Sequence, residues 1–482
     1  MNISSAGSVS ELQDLLRDNP ERFIHMSTTE RFSIPSELVR ELQLSALRGR
    51  FDDLRARIPT LNRFAEGQRL ERIESLEDGA LLLFPHTLYK SYPLSAVNNA
   101  RFDVVTRWLG ALTAIDLSKI DASRCEDIDG WIDMLDNSSN LRVRHSSGTT
   151  GKLSFVPVSQ EEARFGALNF KSSYTGFGDE PNSEITDFET TPMLGFSHRK
   201  GAQATSRSFD ALLEFVYGGN EEMIIALWPT RVSADLMALG GRLAGARAMG
   251  DQGRLKLSSS LLAKREQAIR EQTEQPRMLH EFFDRLNSRK GQKVYYKGAL
   301  PPAIDTAIAG LSQGYSGMVA QESVGAYSGG TKGRKLPEDY REILTRFMGA
   351  TYPPPGYGMS EAVAAFSLMC PAGHYHIQPM SIAYVLHPET GMLHPRTGRQ
   401  TGRFGLIDLC AISRWGGFLT GDEVTVDWGD DRPCPCGRIG AYMLPDIHRY
   451  SVAEGGDDKI TCAGAQDVQD KALDFIRSYT DY

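Results

Sequence analysis

One short segment of the sequence combines glycine, serine and threonine residues and ends at a lysine. It consists of Ser146, Ser147, Gly148, Thr149, Thr150, Gly151 and Lys152. Small residues let a backbone curl so that its N–H groups converge on an anion, and the hydroxyls and the lysine add donors and positive charge. The segment therefore predicts a phosphate-binding loop. It is not a Walker loop, because position 146 is serine rather than glycine and Leu153 stands where serine or threonine is required.

Three more short motifs follow in chain order, and they carry side chains suited to a nucleotide. They are Gly329-Gly330-Thr-Lys, Tyr357-Gly358-Met-Ser360-Glu361 and Thr420-Gly-Asp422. A carboxylate such as Asp422 can accept hydrogen bonds from two hydroxyl groups, and a hard cation prefers oxygen ligands such as those of Glu361. Any one motif has an ordinary alternative, a glycine-rich surface turn. Their combination and order favour nucleotide binding.

Together the four motifs resemble those of the adenylate-forming enzymes, a superfamily that includes acyl-CoA synthetases, adenylation domains and luciferases. The resemblance implies that ATP and Mg²⁺ are the cofactors and that Lys152 and Glu361 are catalytic. The other implied roles are phosphate binding by the loop before Lys152, adenine contact by Gly329, Gly330 and Tyr357, and α-phosphate contact by Ser360. Asp422 would bind the ribose, Glu361 would bind magnesium, and Gly358 is assigned to nucleotide binding without a more specific role.

Within that superfamily, the sequence is most similar to phenylacetate–CoA ligases and to the bacterial acyl-protein synthetases that serve fatty-acid reductases in bioluminescence. The Cys-Pro-Cys-Gly-Arg string at 434–438 resembles the first group. The Phe-Pro-His-Thr-Leu-Tyr-Lys-Ser-Tyr-Pro string at 84–93 and the Gly-Gly-Thr-Lys-Gly-Arg string at 329–334 resemble the second. The resemblance covers residues 80–464, and by the same analogy His198 lines the acyl pocket. A solvated loop histidine is the alternative for His198.

Three of the six cysteines and one histidine could form a zinc site. Cys370, His376, Cys434 and Cys436 supply the three thiolates and one imidazole of a tetrahedral structural site. Some phenylacetate–CoA ligases carry a similar arrangement, and they place the ligating histidine before an aliphatic residue, which favours His376 over His374. The alternative is a set of ordinary reduced cysteines. Cys125 and Cys410 are predicted to be buried apolar cysteines without a role.

Cys462 is a candidate acyl acceptor. It lies in a string that resembles the hinge between the large and small domains of the superfamily, and acyl-protein synthetases carry their acylated cysteine near the C-terminus. A hinge cysteine without chemistry is the alternative. The usual hinge arginine is missing, since Gly455 and Gly456 occupy that stretch, so Arg438 is assigned to nucleotide binding with Arg449 as the other choice.

Hydrophobic patterning predicts an α/β protein, and with the resemblance it indicates the large domain of an adenylate-forming enzyme with a helical N-terminal extension and a truncated C-terminal domain. Residues 1–120 form the mainly helical region, 121–464 the core, and 465–482 a short helix in place of the usual domain that carries a catalytic lysine. Buried strands are predicted at residues 223–228 and, more weakly, at 317–320, and a helix at 338–347.

Composition sets the broad class. The chain has 482 residues, with 53 basic against 61 acidic side chains and a net charge of −8. This balance argues against nucleic acid as a partner, and we find neither a secretory signal nor an apolar run long enough to span a membrane. We therefore expect a cytoplasmic protein with thiol or metal chemistry at its cysteines.

These observations predict an ATP-dependent ligase that activates a carboxylic acid as acyl-AMP and passes the acyl group to a protein thiol, a partner protein or a small nucleophile. Its partners would then be the acid and an acyl carrier or acyl reductase subunit. One alternative keeps the chemistry and makes coenzyme A the acceptor, as in phenylacetate–CoA ligases. The other is a catalytically silent nucleotide-binding subunit of a biosynthetic complex, which the absence of the C-terminal lysine domain favours.

Overall fold

The computed structural model describes residues 12, 16–146, 152–174, 187–249, 259–263, 265–328, 335–430, 432–450, 471–472 and 474–475. Several residues singled out above lie outside this part of the chain. They are Ser147, Gly148, Thr149, Thr150 and Gly151 of the phosphate loop, Gly329 and Gly330, and Cys462. Most of the predicted C-terminal helix at 465–482 also lies outside it.

Helices dominate the first 120 residues and alternate with strands afterwards. The α-helices of the described residues are Pro20–Ile24, Thr28–Arg31, Ser36–Arg55, Pro59–Gly67, Leu94–Asn98, Phe102–Gly110, Ile128–Ser138, Gln160–Ser173, Ala204–Phe215, Ala234–Met249, Ser259–Ala263, Arg265–Asn287, Leu300–Ser312 and Tyr340–Met348. Short 3₁₀ helices cover Glu77–Leu82, His86–Lys90 and Glu221–Met223. None of the described helices is both long and apolar enough to cross a membrane.

The strands form a parallel sheet, a larger antiparallel sheet and two small pairs. They are β1 (Phe84–Pro85), β2 (Arg144–Ser146), β3 (Ser154–Val156), β4 (Met193–Gly201), β5 (Ile224–Val232), β6 (Tyr295–Ala299), β7 (Val324–Ser328), β8 (Gly356–Tyr357), β9 (Ser367–Leu368), β10 (Tyr375–His376), β11 (Ser381–Leu386), β12 (Arg399–Asp408), β13 (Gly417–Asp427), β14 (Tyr442–Met443) and β15 (His448–Arg449). The prediction of a mixed α/β protein is confirmed.

The two main sheets have different connectivity. The parallel sheet has the order β5-β4-β6-β7. Its strands are joined through helices, as parallel neighbours require. The antiparallel sheet has the order β10-β14-β13-β12-β11, and both β1 and β15 pair with β13 as well. Strand β13 is therefore the centre of the second sheet, and its residues meet segments from distant parts of the chain.

Of the three elements predicted at 223–228, 338–347 and 317–320, the first two are confirmed and the third is wrong. The first corresponds to β5, and the second to the helix Tyr340–Met348. The stretch 317–320 is not a strand, although Met318 and Val319 are buried. The amides of residues 317–319 donate to carbonyls at the end of the helix Tyr340–Met348, with N–O distances of 2.8–3.1 Å. The apolar character of residues 317–320 correctly predicted that Met318 and Val319 are buried. The segment does not join a sheet, because its amides bond to the carbonyls that the helix leaves free at its C-terminal end.

A buried ion-pair network joins the helix Gln160–Ser173 to the antiparallel sheet. The carboxylate of Glu162 accepts a hydrogen bond from Arg414 Nε at 3.0 Å and from the amides of Ile412 and Ser413 at 2.9 and 2.7 Å. Arg414 Nη2 also lies 3.7 Å from Asp408. The Glu162 and Arg414 side chains have 0% exposure. The network fixes the helix on the sheet.

His145 makes the stability of the protein sensitive to acid. Its side chain is fully buried, and neither ring nitrogen has a hydrogen-bond partner among the described residues. Burial lowers its pKa from 6.5 to about 4. Between pH 6.5 and about pH 4, His145 is protonated in the unfolded chain but neutral in the folded chain. Protonation therefore favours the unfolded state, and the free energy of unfolding decreases as the pH falls through this range.

We expect His145→Leu to remove this sensitivity. Between pH 7 and pH 4 the wild type should lose about 3 kcal/mol more folding free energy than the variant. Urea unfolding at a series of pH values measures the difference. His280→Ala is the control, because that side chain is 61% exposed. Parallel curves for the wild type and the leucine variant would contradict the prediction.

Candidate functional site

A tyrosine and an aspartate from two of the sequence motifs meet in the structure. The Tyr357 hydroxyl, at the end of β8, donates to Asp422 Oδ2 in β13 at 3.0 Å. Arg449 of β15 lies directly opposite Asp422 in the strand pairing. Burial raises the pKa of Asp422, while the charge of Arg449 and the hydrogen bond from Tyr357 act in the opposite direction. The carboxylate therefore has a phenol as its hydrogen-bond partner and a cation on the neighbouring strand.

The backbone around Asp422 is fixed by hydrogen bonds within the Thr-Gly-Asp motif. The Asp422 amide donates to Thr420 Oγ1 at 3.1 Å, and that hydroxyl donates to the Phe404 carbonyl at 2.8 Å. Arg403 Nε donates to the Thr420 carbonyl at 2.7 Å. The register between β12 and β13 shifts at this point. Such an irregularity redirects a side chain away from the regular ladder.

Glu361 is close to the same cluster. Burial raises the pKa of Tyr357 well above its ordinary value, and the charges of Asp422 and Glu361 contribute to the rise. Burial also raises the pKa of Tyr89, and the charge of Glu361 adds to that rise. Ser360 is partly buried and Gly358 is exposed. The structure therefore joins Tyr357 to Asp422 directly, and the charge of Glu361 acts on Tyr357. Gly358 and Ser360 lie between Tyr357 and Glu361 in the chain.

Lys152 marks where the chain leaves the phosphate loop. Its Nζ lies 4.8 Å from the centre of the Tyr92 ring, and the Tyr92 hydroxyl donates to the Leu153 carbonyl at 3.0 Å. Burial lowers the pKa of Lys152. Ser146 ends β2 on the other side of the loop and is paired with Ser154 of β3. The two ends of the loop are thus held side by side.

The strands that flank the two glycine-rich segments contact the Tyr357–Asp422 cluster or its neighbours. The 3₁₀ helix His86–Lys90 packs against both β3, which follows the phosphate loop, and β13, which carries Asp422. Strand β7, which ends at Ser328 directly before Gly329, packs against β8, which ends at Tyr357. The described strands next to the two segments therefore lie near the elements that carry Tyr357 and Asp422.

Arg438 lies elsewhere. Its guanidinium is 5.5 Å from the centre of the Phe32 ring, and its charge contributes to the lowered pKa of His376. The structure places it beside the cysteine cluster and places Arg449, the other choice, opposite Asp422. The sequence offered both arginines, and the pairing of β15 with β13 distinguishes them.

His198 lies in the parallel sheet. Its side chain is 6% exposed, and its Nδ1 is 3.2 Å from Thr230 Oγ1 on the neighbouring strand β5. The adjacent Arg199 forms ion pairs with Asp210 and Glu221 at 2.7 and 2.9 Å. Because two carboxylates neutralise it, Arg199 supplies little net charge for attracting an anionic substrate. His198 is a buried strand residue and not a solvated loop histidine.

Sequence reasoning missed two cations inside the fold, Arg144 and Lys297. Arg144 is 8% exposed in β2, and Lys297 lies in the middle of β6. A charged residue inside the apolar run Val-Tyr-Tyr-Lys-Gly-Ala-Leu at 294–300 was the available signal. A lysine in a buried strand is unusual unless it is paired or functional.

A second cluster is formed by the predicted metal ligands. One ligand atom each from Cys370, His376, Cys434 and Cys436 lies within 4.8 Å of all the others. The Sγ atoms of Cys370 and Cys434 are 3.8 Å apart, and His376 Nε2 is 3.2 Å from Cys436 Sγ. Cys370, His376 and Cys434 are buried. Three soft sulfur donors and one imidazole at these separations could hold a metal ion.

Tight turns and a strand pair position this cluster. Gly373 and Gly437 have φ angles of +80° and +87°, which L-residues with a side chain rarely adopt, and their amides donate to the carbonyls of Cys370 and Cys434. Strand β10 pairs with β14, which sets His376 opposite Tyr442. Short turns with positive-φ glycines thus bend both cysteine-bearing segments around one point.

His374 lies beside the cluster as well. Its Nδ1 is 3.3 Å from Cys434 Sγ, and its ring stacks on Tyr442 with centroids 4.6 Å apart. It is suited to donate a hydrogen bond to a thiolate ligand, which is the outer support that metal sites use. Of the two cysteines predicted to be buried and inert, Cys410 is buried, whereas Cys125 is only partly buried.

No protein-family model matches the chain, and no curated protein matches it. Among solved structures, ATP-bound MatB from Rhodopseudomonas palustris is similar over 63% of this chain and 46% of its own, with 13% identity and a TM-score of 0.34. A long-chain-fatty-acid-CoA ligase from Archaeoglobus fulgidus is similar over 65% and 52%, with 11% identity and a TM-score of 0.36. A luciferase-like enzyme from the nonluminescent mealworm Zophobas morio is similar over 64% and 56%, with 13% identity and a TM-score of 0.29. The chain thus spans about half the length of these structures.

Proposed function

We propose that this protein is an ATP-dependent adenylate-forming ligase that activates a carboxylic acid as its acyl-AMP. The observation that carries the proposal is the hydrogen bond of 3.0 Å between Tyr357 and Asp422, with Glu361 and Arg449 close by. Residues from two separate motifs thereby form one polar cluster. Strand β7, before Gly329, packs against β8, and β3, after the Gly/Ser/Thr segment, packs against the 3₁₀ helix His86–Lys90, which also packs against β13. This convergence is what a nucleotide site built from four motifs requires.

Each side chain would have a distinct task. The Asp422 carboxylate would accept hydrogen bonds from the ribose hydroxyls, and the Tyr357 ring would pack against the adenine. Ser360 and Lys152 would donate to the phosphates. Glu361 would hold Mg²⁺, which supplies positive charge that neutralises the phosphates when it is bound.

The reaction needs positioning more than a protein base. A carboxylate oxygen of the acid attacks the α-phosphorus of ATP, a new P–O bond forms, and the bond to pyrophosphate breaks. The product acyl-AMP is a mixed anhydride, so its carbonyl carbon is a good electrophile. A nucleophile then displaces AMP and takes the acyl group.

For the second step we propose a protein thiol as the acceptor, with Cys462 as the candidate within this chain. The support is the resemblance to acyl-protein synthetases, which carry their acylated cysteine near the C-terminus. Coenzyme A, an acyl carrier or an acyl reductase subunit would fill the same place in the reaction. Mass spectrometry after turnover with labelled acid tests Cys462, since label that persists on a Cys462→Ser variant excludes it.

We further propose that the cluster of Cys370, His376, Cys434 and Cys436 binds a structural zinc ion. Four protein donors complete a tetrahedral shell and leave no open position for a substrate, which distinguishes structural from catalytic zinc. The burial of three of the four ligands supports the same assignment. The ion would join two segments of the chain, since Cys370 and Cys434 are 64 residues apart.

The nucleotide assignment is tested with Asp422→Asn. An amide accepts hydrogen bonds more weakly than a carboxylate and places a donor against the ribose hydroxyls, so the Kd for ATP should rise about 10- to 100-fold. Isothermal titration calorimetry with ATP and Mg²⁺ measures it. Asp446→Asn is the matched control, because Asp446 is an exposed carboxylate in the connection between β14 and β15. Equal Kd values for the Asp422 variant and the wild type would remove Asp422 from the site.

A further inference from the structure

Lys297 is a lysine in a buried strand that has no acidic partner among the described residues. Its ammonium contacts the Ser208 hydroxyl and lies 4.4 Å and 4.9 Å from the ring centres of Phe209 and Phe170. By contrast Lys293, four residues earlier, forms an ion pair of 2.7 Å with Asp187. Residue 297 as a whole is partly exposed.

Arg144 is a second cation near Lys297. A side chain on Gly166 would meet Arg144 Nη2 at 3.6 Å, and Gly166 lies one helical turn before Phe170, the ring that Lys297 contacts. Its side chain is buried, and its Nε has no hydrogen-bond partner in the part of the chain that the structure describes. Burial lowers the pKa of Lys297 to about 7, and the charge of Arg144 acts in the same direction. Burial likewise lowers the pKa of Arg144 to about 10. The two cations are therefore near enough to repel each other.

Two acidic groups act on the charge of Arg144, and both accept hydrogen bonds from other residues. Glu162 and Asp408 act on Arg144 electrostatically, but within the described residues neither forms an ion pair with it. Glu162 is bound by Arg414 and by two backbone amides. Asp408 accepts hydrogen bonds from the amides of Val363 and Cys410. Arg144 thus shares the charges of Glu162 and Asp408 with Arg414, whereas nothing acidic among the described residues acts on Lys297. A buried lysine cation is costly unless a ligand supplies the negative charge.

A chain of ring contacts joins Lys297 to the proposed nucleotide site. A side chain on Gly358 would meet the Phe366 ring at 3.0 Å, so the Tyr357–Glu361 motif rests on that ring. Phe366 and Phe170 have ring centroids 5.4 Å apart, and Phe170 contacts Lys297. Arg144 is on β2, which ends at Ser146 where the phosphate loop begins. The cation pair thus adjoins the proposed site of ATP on the side of the parallel sheet.

We propose that Lys297 and Arg144 bind a carboxylate of the acid substrate beside the rings of Phe170 and Phe209. This inference rests on the proposed function and names the residues that hold the acid rather than the nucleotide. The bound carboxylate is the reacting one or, in a dicarboxylic acid, the distal one. The aromatic rings fit the apolar part of the acid, and the two cations fit its charge.

The test is Lys297→Met, with Lys293→Met as the matched control. Pyrophosphate release is measured with ATP and with benzoate, octanoate or succinate as the acid. The KM for the acid should rise about 10- to 100-fold in the Lys297 variant, while the KM for ATP stays within about twofold. Because Lys297→Met removes a charge that has no acidic partner among the described residues, the midpoint temperature of thermal unfolding should stay the same or rise. A purely structural lysine would lower that midpoint.

The acids distinguish the two carboxylates. Loss of a preference for succinate in the variant identifies the distal carboxylate, and an equal rise in KM for all acids identifies the reacting one. Either result supports the proposal. A folded Lys297→Met variant with an unchanged KM for every acid that the wild type uses overturns it, and so does a change confined to the KM for ATP.

A labelling experiment tests acid binding at Lys297 independently of whether the protein has ligase activity. The wild type is treated with an amine-reactive ester at neutral pH, with and without benzoate, octanoate or succinate, and the labelled lysines are mapped. Protection of Lys297 by an acid in the absence of ATP supports the site even if no pyrophosphate is released. Turnover of an acid that neither protects Lys297 nor depends on it overturns the site and leaves the ligase function intact.

Discussion

Replacing Cys434 with serine is expected to abolish metal binding and to cost about 4 kcal/mol or more of folding free energy. The proposed zinc shell depends on three thiolates and one imidazole, and serine is a poor zinc ligand. The free energy of binding a structural zinc ion is folding free energy, because the unfolded chain has no preformed site. Loss of the ion would also leave the Cys370 and His376 side chains buried without the metal that they are placed to bind.

Zinc content by elemental mass spectrometry and unfolding by denaturant measure the two effects. The wild type should contain close to one zinc ion per chain, and a chelator should lower its stability to that of the variant. Cys125→Ser is the control, since Cys125 lies outside the cluster and is only partly buried. A wild-type protein with less than about half a zinc ion per chain, purified without chelator, would contradict the assignment.

The second large effect is expected at Glu162. Glu162→Gln should lower the folding free energy by about 3 kcal/mol, because it leaves the buried Arg414 with only the more distant carboxylate of Asp408, 3.7 Å from its Nη2. The amide oxygen of glutamine can still accept from the backbone, so the loss reports the charge pair. Arg414 Nε is 3.0 Å from the Glu162 carboxylate, and both side chains have 0% exposure.

A double variant isolates the cause. When Arg414→Met is added to Glu162→Gln, the uncompensated cation disappears, and at least about 2 kcal/mol of the loss should be recovered. Denaturant unfolding of the wild type, the single variants and the double variant completes the cycle. A Glu162→Gln variant within about 1 kcal/mol of the wild type would show that the pair contributes little to folding.

The sequence predicted those features that local patterns encode. Apolar runs predicted the α/β class and the strand β5. The cysteines and two nearby histidines indicated a metal site, and the resemblance to phenylacetate–CoA ligases selected His376 as the fourth of the donors that the structure brings together. The apolar residues of a strand are close together in the chain, and the few cysteines and histidines of this sequence leave few ways to assemble a metal site. The resemblance to adenylate-forming enzymes implied that Tyr357 and Asp422 serve one site, and the structure places them in hydrogen-bond contact.

Features that depend on long-range register were beyond the sequence. Whether Arg438 or Arg449 faces Asp422 is decided by the pairing of β15 with β13. The segment 317–320 is apolar enough for a strand, but the end of a distant helix takes its backbone hydrogen bonds. Lys297 stands alone in its strand, and its neighbours come from other elements. No local pattern encodes these juxtapositions.

Acid-dependent exchange of labelled pyrophosphate into ATP tests the proposed adenylation most directly. It reports the reversible formation of acyl-AMP without requiring knowledge of the acceptor. The proposal predicts exchange with Mg²⁺ and at least one member of a panel of aliphatic, aryl and amino acids, and none when the acid is omitted. Tight ATP binding without exchange for any acid in the panel would contradict it and would identify a nucleotide-binding subunit without ligase activity.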